Sequence, residues 1–203
     1  MAVEGLRERK KREMRLHISH LATNLFMEKG FDNVTVDEIA AAANVSKMTV
    51  FNYFARKEDL LFDRNEETLA LLRTRFAART QAPIPALKAF VLDLVEAKHP
   101  LVRMTPPIAA FWKVVADSPA LREHTRTMAA ELERDLARML AAAVGQPVDP
   151  LAKLIATLLV GTWRVAFRES LRSRSWWRET FLDVIDRGFA AATTAARGTA
   201  YVR

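Results

Sequence analysis

Apolar residues recur through this chain at intervals of three and four, and no run alternates apolar with polar as a half-buried strand would. Between about Arg9 and Lys29, Ile18, Leu21, Ala22, Leu25 and Phe26 line one face of a helix, and Gly30 supplies the left-handed residue that ends it. Thr35-Val36-Asp37-Glu38 fits a capping box, in which the Thr35 hydroxyl caps the Glu38 amide and the Glu38 carboxylate returns to the Thr35 amide. The pattern predicts a brief helix from Val36 to about Ala43, with an alanine face for close approach and Ile39 as its anchor. Asn44 is placed to end it, because Asn tolerates the left-handed conformation better than any residue except Gly. Ser46 then caps a second short helix, Lys47 to about Phe54, whose Val50 and Phe54 face inward. So short a turn forces the two helices to cross steeply.

The remainder is expected as helices separated by proline. One long helix is expected from Lys57 to about Arg79, with Pro83 and Pro85 breaking it, and another from Ala86 to Lys98, ended by His99-Pro100. A further apolar segment follows Pro106-Pro107. Ser118-Pro119 and Asp149-Pro150 both read as helix starts, a capping side chain followed by proline at the first helical position. The helix opened at Pro119 runs to Gly145. The helix from Pro150 to about Leu171 is apolar on two faces: Leu151, Leu154, Ile155, Leu158, Leu159 and Thr162 on one, Ala152, Ala156, Val160, Trp163 and Phe167 on the other. Lys153, Thr157, Gly161, Arg164 and Arg168 fill a narrow polar strip. Such a helix has to be covered on both sides, one by the domain core and the other by a partner subunit. A last helix, about Trp176 to Ala196, carries Phe181, Val184 and Ile185. The expected architecture is all-α: residues 1–56 as a three-helix module with its helix-turn-helix at about 35–54, and residues 57–203 as a larger helical domain.

Composition narrows the classes. Half of the 203 residues are apolar, and the formal net charge is +7. That charge is spread out, since residues 1–80 carry 14 Lys and Arg against 12 Asp and Glu. It favours a phosphate-bearing partner only slightly. The cluster Arg7, Arg9, Lys10, Lys11, Arg12 and Arg15 reads equally as a solvated helix start or as phosphate contacts. With no cysteine there is no disulfide, thiolate nucleophile or thiolate metal site. The four histidines, unclustered carboxylates and lack of a glycine-rich phosphate loop argue against an enzyme or a bound cofactor. His17 and His20 share a helical face without an evident third ligand, so no metal site is expected. No apolar stretch is expected to approach the roughly 18 residues of a membrane span, and the charged start VEGLRERKKREMR is unlike a signal peptide. These features suit a cytoplasmic protein with no membrane partner.

The candidate chemistry lies on the second short helix. Lys47, Met48, Thr49, Asn52 and Tyr53 are left on its outer side, a set suited to DNA: Lys and Tyr for phosphates, Thr and Asn for base edges, Thr and Met methyls for thymine. Lys57 follows, where its ammonium could meet one more phosphate. The residues Gly30-Phe31, Thr35-Val36, Glu38-Ile39-Ala40, Val45-Ser46, Thr49-Val50-Phe51, Tyr53-Phe54 and Lys57-Glu58-Asp59-Leu60 resemble the DNA-binding domain of the tetracycline-repressor (TetR) family of bacterial regulators. The likeness spans roughly residues 9–62, in register and without a gap. Asn44 stands where Gly is usual, and Phe51 where Tyr is common, which removes one hydroxyl able to reach phosphate.

The resemblance implies phosphate contacts at Thr35, Tyr53 and Lys57, base contacts at Lys47, Met48, Thr49 and Asn52, and Ser46 at the start of the reading helix. It also implies a double-stranded, near-palindromic operator and a homodimer built from the last two helices. The candidate dimer residues are Leu151, Leu154, Ile155, Leu158 and Leu159 on one helix and Phe181, Val184 and Ile185 on the next. The middle helices would hold a small apolar or amphipathic effector. Candidate pocket residues there are Phe90, Leu94, Met104, Ile108 and Phe111, then Trp112, Met128, Leu132, Trp163 and Phe167, with His99, Arg103 and His124 as candidate polar anchors. Arg164, Arg168 and Arg172 read either as a solvated stripe pairing with Glu169 or as a site for an acyl thioester. The leading expectation is a ligand-responsive transcriptional regulator acting as a repressor. The alternatives are an activator of the same family and a helical ligand-binding dimer whose helix-turn-helix does not regulate transcription.

Overall fold

The computed structural model describes residues 5–63, 65–99, 102, 105–173 and 176–203. Among these there are helices and turns but no strand: α1 (Leu6–Lys29), α2 (Val36–Ala42), α3 (Lys47–Tyr53), a 3₁₀ turn (Glu58–Leu60), α4 (Asn65–Ala77), α5 (Pro83–Glu96), α6 (Pro106–Asp117), α7 (Pro119–Ala143), α8 (Pro150–Ser173) and α9 (Trp177–Ala195). The all-α class expected from the periodicity is the class observed. The chain forms two compact units, Met1–Glu67 with Ala110–His124, and Thr68–Ala109 with Thr125–Arg203.

In the first unit, Ile18, Ala22 and Phe26 of α1 meet Phe31 and Val34 of the following loop, Ile39, Ala40 and Ala43 of the α2 region, and Val50 and Phe54 at α3. Leu60 and Leu61 complete this core, together with Val115 and Leu121 from the returning segment 110–124. Gly30 has φ +82° and ψ 149°, an extended positive-φ conformation rather than the left-handed helical one, and its N–H reaches the Phe26 carbonyl at 3.0 Å.

The long helix expected from Lys57 to Arg79 does not form. Asp59 turns its carboxylate back to the Arg56 N–H at 2.9 Å, and the Leu60 carbonyl accepts from the buried Ser19 hydroxyl at 3.0 Å. Those bonds, with Leu60 fully buried, hold a single 3₁₀ turn, and helix resumes at Asn65. The prolines at 83 and 85 open α5 rather than break a helix, since proline at the first helical turn forfeits no hydrogen bond. Ile84, buried at the start of α5, donates its N–H to the Tyr201 carbonyl at 3.0 Å and ties the C-terminal tail to that end.

The second unit is built around α8 and α9. Ala152, Ile155, Ala156, Leu159, Val160 and Ala166 of α8 share a core with Phe181, Ile185, Phe189 and Ala192 of α9. The two helices approach closely where Gly188 meets Thr162; a Cβ there would lie 2.1 Å from the Thr162 hydroxyl oxygen. Asp149 caps α8 by accepting the Ala152 N–H at 2.6 Å, as its sequence position suggested. One expectation is corrected here: α8 is long and apolar enough to cross a membrane by length and composition, because only Lys153 and Arg164 are charged between Pro150 and Phe167. A core helix meets the same criterion, and one side of α8 is core in this fold.

Candidate nucleic-acid interface

Seven-residue helices are too short to be stable by themselves, so the pair α2–α3 depends on its ends. At the start of α2 the capping box is complete. Thr35 Oγ1 accepts the Glu38 N–H at 3.2 Å, and the Glu38 carboxylate accepts the Thr35 N–H at 2.8 Å and the Thr35 hydroxyl at 3.0 Å. These bonds, the backbone one foremost and then the Lys29 ammonium at 3.2 Å, hold the Glu38 carboxyl below its ordinary range. At the far end of α2, Asn44 takes φ +52°, the Val45 N–H reaches the Ala40 carbonyl at 3.0 Å and the Asn44 N–H the Ala41 carbonyl at 3.1 Å. That is a complete Schellman termination with Asn in place of Gly. Ser46 then caps α3, its hydroxyl oxygen accepting the Thr49 N–H at 3.0 Å.

Val50 and Phe54 are 1% and 2% exposed, which fixes the inner face of α3. Its outer face carries Lys47, Met48, Phe51 and Asn52, all exposed, with Thr49 and Tyr53 half-buried. Lys47 pairs with Asp37 of α2 at 2.8 Å, and the Thr49 hydroxyl lies 2.8 Å from that of Ser46. Thr35 is exposed at the start of α2. Lys57 is placed differently from these exposed side chains. Its ammonium donates to the Phe31 carbonyl at 2.6 Å and lies 4.2 Å from the centre of the Phe31 ring and 5.7 Å from that of Phe26. Burial there lowers its pKa, against the opposing pull of Asp32, Glu58 and Glu38.

Arg15 does work the sequence did not reveal. Read only as one member of a basic cluster, it instead donates from Nη1 to the Tyr53 carbonyl and from Nε to Asp63, each at 2.5 Å, with its guanidinium 4.2 Å over the Phe54 ring. It thereby satisfies a carbonyl at the end of α3 that the helix leaves open. Sequence spacing carries no signal for a contact made across 38 residues.

A helix-turn-helix with both ends closed and one face of its second helix left open is the geometry of a DNA-reading module. The family profile of bacterial regulatory proteins, tetR family, matches residues 18–63. Along 95% of the chain and 87% of the relative, the sequence is 29% identical to the HTH-type transcriptional regulator TcmR of Streptomyces glaucescens. Together these likenesses support a regulator of the TetR family. A regulator of that family is a transcriptional regulator that binds DNA. Two solved structures share the fold. NalD of Pseudomonas aeruginosa, described as the secondary repressor of the MexAB-OprM multidrug efflux pump, has TM-score 0.60, 17% identity, and coverage of 90% of this chain and 96% of that one. FadR of Thermus thermophilus, described as a TetR-family repressor in complex with lauroyl-CoA, has TM-score 0.53, 23% identity, and coverage of 89% and 94%.

The other candidate residues are dispersed. Phe90, Ile108, Met128, Leu132, Trp163 and Phe167 are half-buried residues of the second unit, and Leu94 is core there. Phe111 and Trp112 belong instead to the first unit, where Phe111 packs edge-on against Phe62 at 5.9 Å. Met104 and Arg103 lie outside the described residues. The side chain of His124, a candidate polar anchor, is 12% exposed in the first unit, stacked on Phe62 at 5.5 Å and 3.6 Å from the Asp59 carboxylate.

Of the expected dimer residues, Ile155, Leu159, Phe181 and Ile185 are core side chains of this one chain, between 0% and 6% exposed, so no surface of theirs is left for a partner. Their periodicity reports the contact between α8 and α9. Leu151, Leu158 and Val184 are half-buried, and Leu154 is 56% exposed. Leu154, Leu158, Gly161 and Val165 fall at i, i+4, i+7 and i+11, one outward stripe of α8, and a Cβ on Gly161 would meet nothing within 4 Å. Gly161, assigned from sequence to the polar strip, therefore lies in the middle of an apolar stripe, half-buried like Leu158, with Leu154 and Val165 exposed at its ends. Arg172 pairs with Glu169 at 2.7 Å and Arg168 with the same carboxylate at 4.0 Å.

Proposed function

We propose that this chain acts in the cytoplasm as a dimeric, ligand-responsive repressor that leaves a near-palindromic operator when a small apolar or amphipathic effector binds. The observation that carries the DNA-reading part is the outer face of α3, held at both ends by Ser46 and Arg15. In this reading Lys47, Met48, Thr49 and Asn52 approach base edges, and Thr35, Tyr53 and Lys57 meet phosphates, with Ser46 holding the start of the reading helix. The Lys57 ammonium spends one N–H on the Phe31 carbonyl and keeps two for a phosphate.

The stripe Leu154, Leu158, Gly161 and Val165 supports the dimer, because exposed apolar side chains on one helix face are covered at least cost by the same face of a second copy. A dimer also supplies what one half-site lacks, since a module of seven-residue helices makes few phosphate contacts and correspondingly little affinity. The half-buried aromatic and methionine side chains of the second unit support an effector with an apolar part, and the lauroyl-CoA bound to FadR of Thermus thermophilus is an amphipathic ligand with such a part. Such a ligand lowers operator affinity only by as much as it prefers the conformation that binds DNA poorly.

Selection of bound fragments from random and genomic DNA tests the reading. It should return a symmetric site, to which Asn52→Ala binds with relaxed base preference while Tyr53→Phe binds all sequences more weakly with a shallower salt dependence. Leu154→Arg should turn a dimer into a monomer in sedimentation and abolish binding to the full site. Recovery of no preferred sequence would sink the DNA assignment, and a wild-type monomer would sink the dimer.

A further inference from the structure

The exposed tip of α3 is less polar than its sequence suggests. The Lys47 ammonium is held by Asp37, and the Thr49 hydroxyl faces that of Ser46, so two of the polar candidates already have partners within the module. Beside them α3 projects Met48, 69% exposed, and Phe51, 44% exposed, together with the exposed Asn52. Met48 and Phe51 are three residues apart and therefore neighbours on one helix face. They have no part in holding the fold, because the inner face of α3 is Val50 and Phe54. Phe51 has no hydroxyl with which to reach a phosphate. Among the groups a base pair presents in the major groove, the C5-methyl of thymine is the one that rewards an apolar side chain.

On the reading of α3 as the recognition helix, we propose that Met48 and Phe51 form a sensor for thymine methyl groups, so that each half-site is specified partly by methyl contacts. Asn52, at i+4 from Met48, would read an adjacent adenine through its paired donor and acceptor. Phe51 thus becomes a determinant of specificity, although it is the position at which the chain gives up a phosphate-binding hydroxyl.

The test uses the full-length protein and the site recovered by selection. Each dT in one half-site is replaced singly by dU, which removes the methyl and leaves every hydrogen-bonding group of the base in place. The expected result is about fourfold weaker binding at each contacted methyl, the equivalent of losing one buried carbon, at one or two positions only. Phe51→Ala should abolish the penalty at one of these positions and Met48→Ala at another, with unchanged thermal denaturation because both side chains are exposed. Wild-type protein indifferent to dU at every position would overturn the proposal and leave the DNA-binding reading standing. A selection that returns no sequence would overturn both.

Discussion

The two units solve the problem of holding helices together by different means. In the second, long helices share apolar faces, and the pair α8–α9 closes until Gly188 touches Thr162. In the first, α2 and α3 have seven residues each and must leave one face open, so apolar area cannot hold them alone. Directed polar bonds take over there: the Thr35–Glu38 box, the Ser46 cap, the Ser19 hydroxyl on Leu60, the Lys57 ammonium on Phe31 and the Arg15 fork on Tyr53 and Asp63. A surface kept free for another molecule is bordered by side chains that hydrogen-bond backbone, because burial is the one device such a surface forbids.

This contrast can be broken by mutation. Gly188→Ala should have the largest effect, about 3 kcal/mol of lost stability in chemical denaturation, because the added carbon forces α8 and α9 apart along their whole contact. Arg15→Ala should cost about 2 kcal/mol and raise hydrogen exchange in α3, since it strands Asp63, 5% exposed, and frees the Tyr53 carbonyl. Arg15→Lys should recover only part, having no fork to span both acceptors. Thr35→Ala should cost about 1 kcal/mol, confined to the first unit.

The capping box also carries a pH signature. The Glu38 carboxyl titrates lower in the folded protein than in the unfolded chain, so its stabilisation is present above the ordinary carboxylate range. It is lost as pH falls through the lowered folded value, and a wild-type melting curve should lose more than that of Glu38→Gln on acidification. The smallest effect is a gain. Lys98 sits at φ +49° in a Schellman turn at the end of α5, with the His99 N–H on the Leu94 carbonyl at 2.9 Å, and Lys98→Gly should add about 0.5–1 kcal/mol by relieving that backbone. The same turn after α7 already uses Gly145, at φ +68°.

Local chemistry was legible in the sequence. The caps at Thr35, Ser46, Ser118 and Asp149 and the left-handed Asn44 each depend on neighbours within a few residues, and each is found. Contacts made at long separation were not legible. Nothing near residue 60 announces that Ser19 will take the Leu60 carbonyl and hold a 3₁₀ turn where periodicity continues a helix. Periodicity in α8 marks apolar positions without saying which neighbour covers them, so Ile155 and Leu159 were paired with a second subunit when α9 lies against them. The lysine at 57 has the right charge for a phosphate; that its ammonium rests on two aromatic rings follows only from the fold.

The segment 110–124 has a consequence for how such a protein can be recombined. Val115 and Leu121 are core residues of a module whose other core side chains all come from before residue 68. A DNA-reading head exchanged between relatives by one crossover after the 3₁₀ turn would arrive without those two side chains and inherit whatever its new host carries there. Successful chimaeras are therefore expected to exchange both stretches together, or to join parents whose residues at 115 and 121 match in volume. Reading specificity in this chain is transplantable as two pieces of sequence, not one.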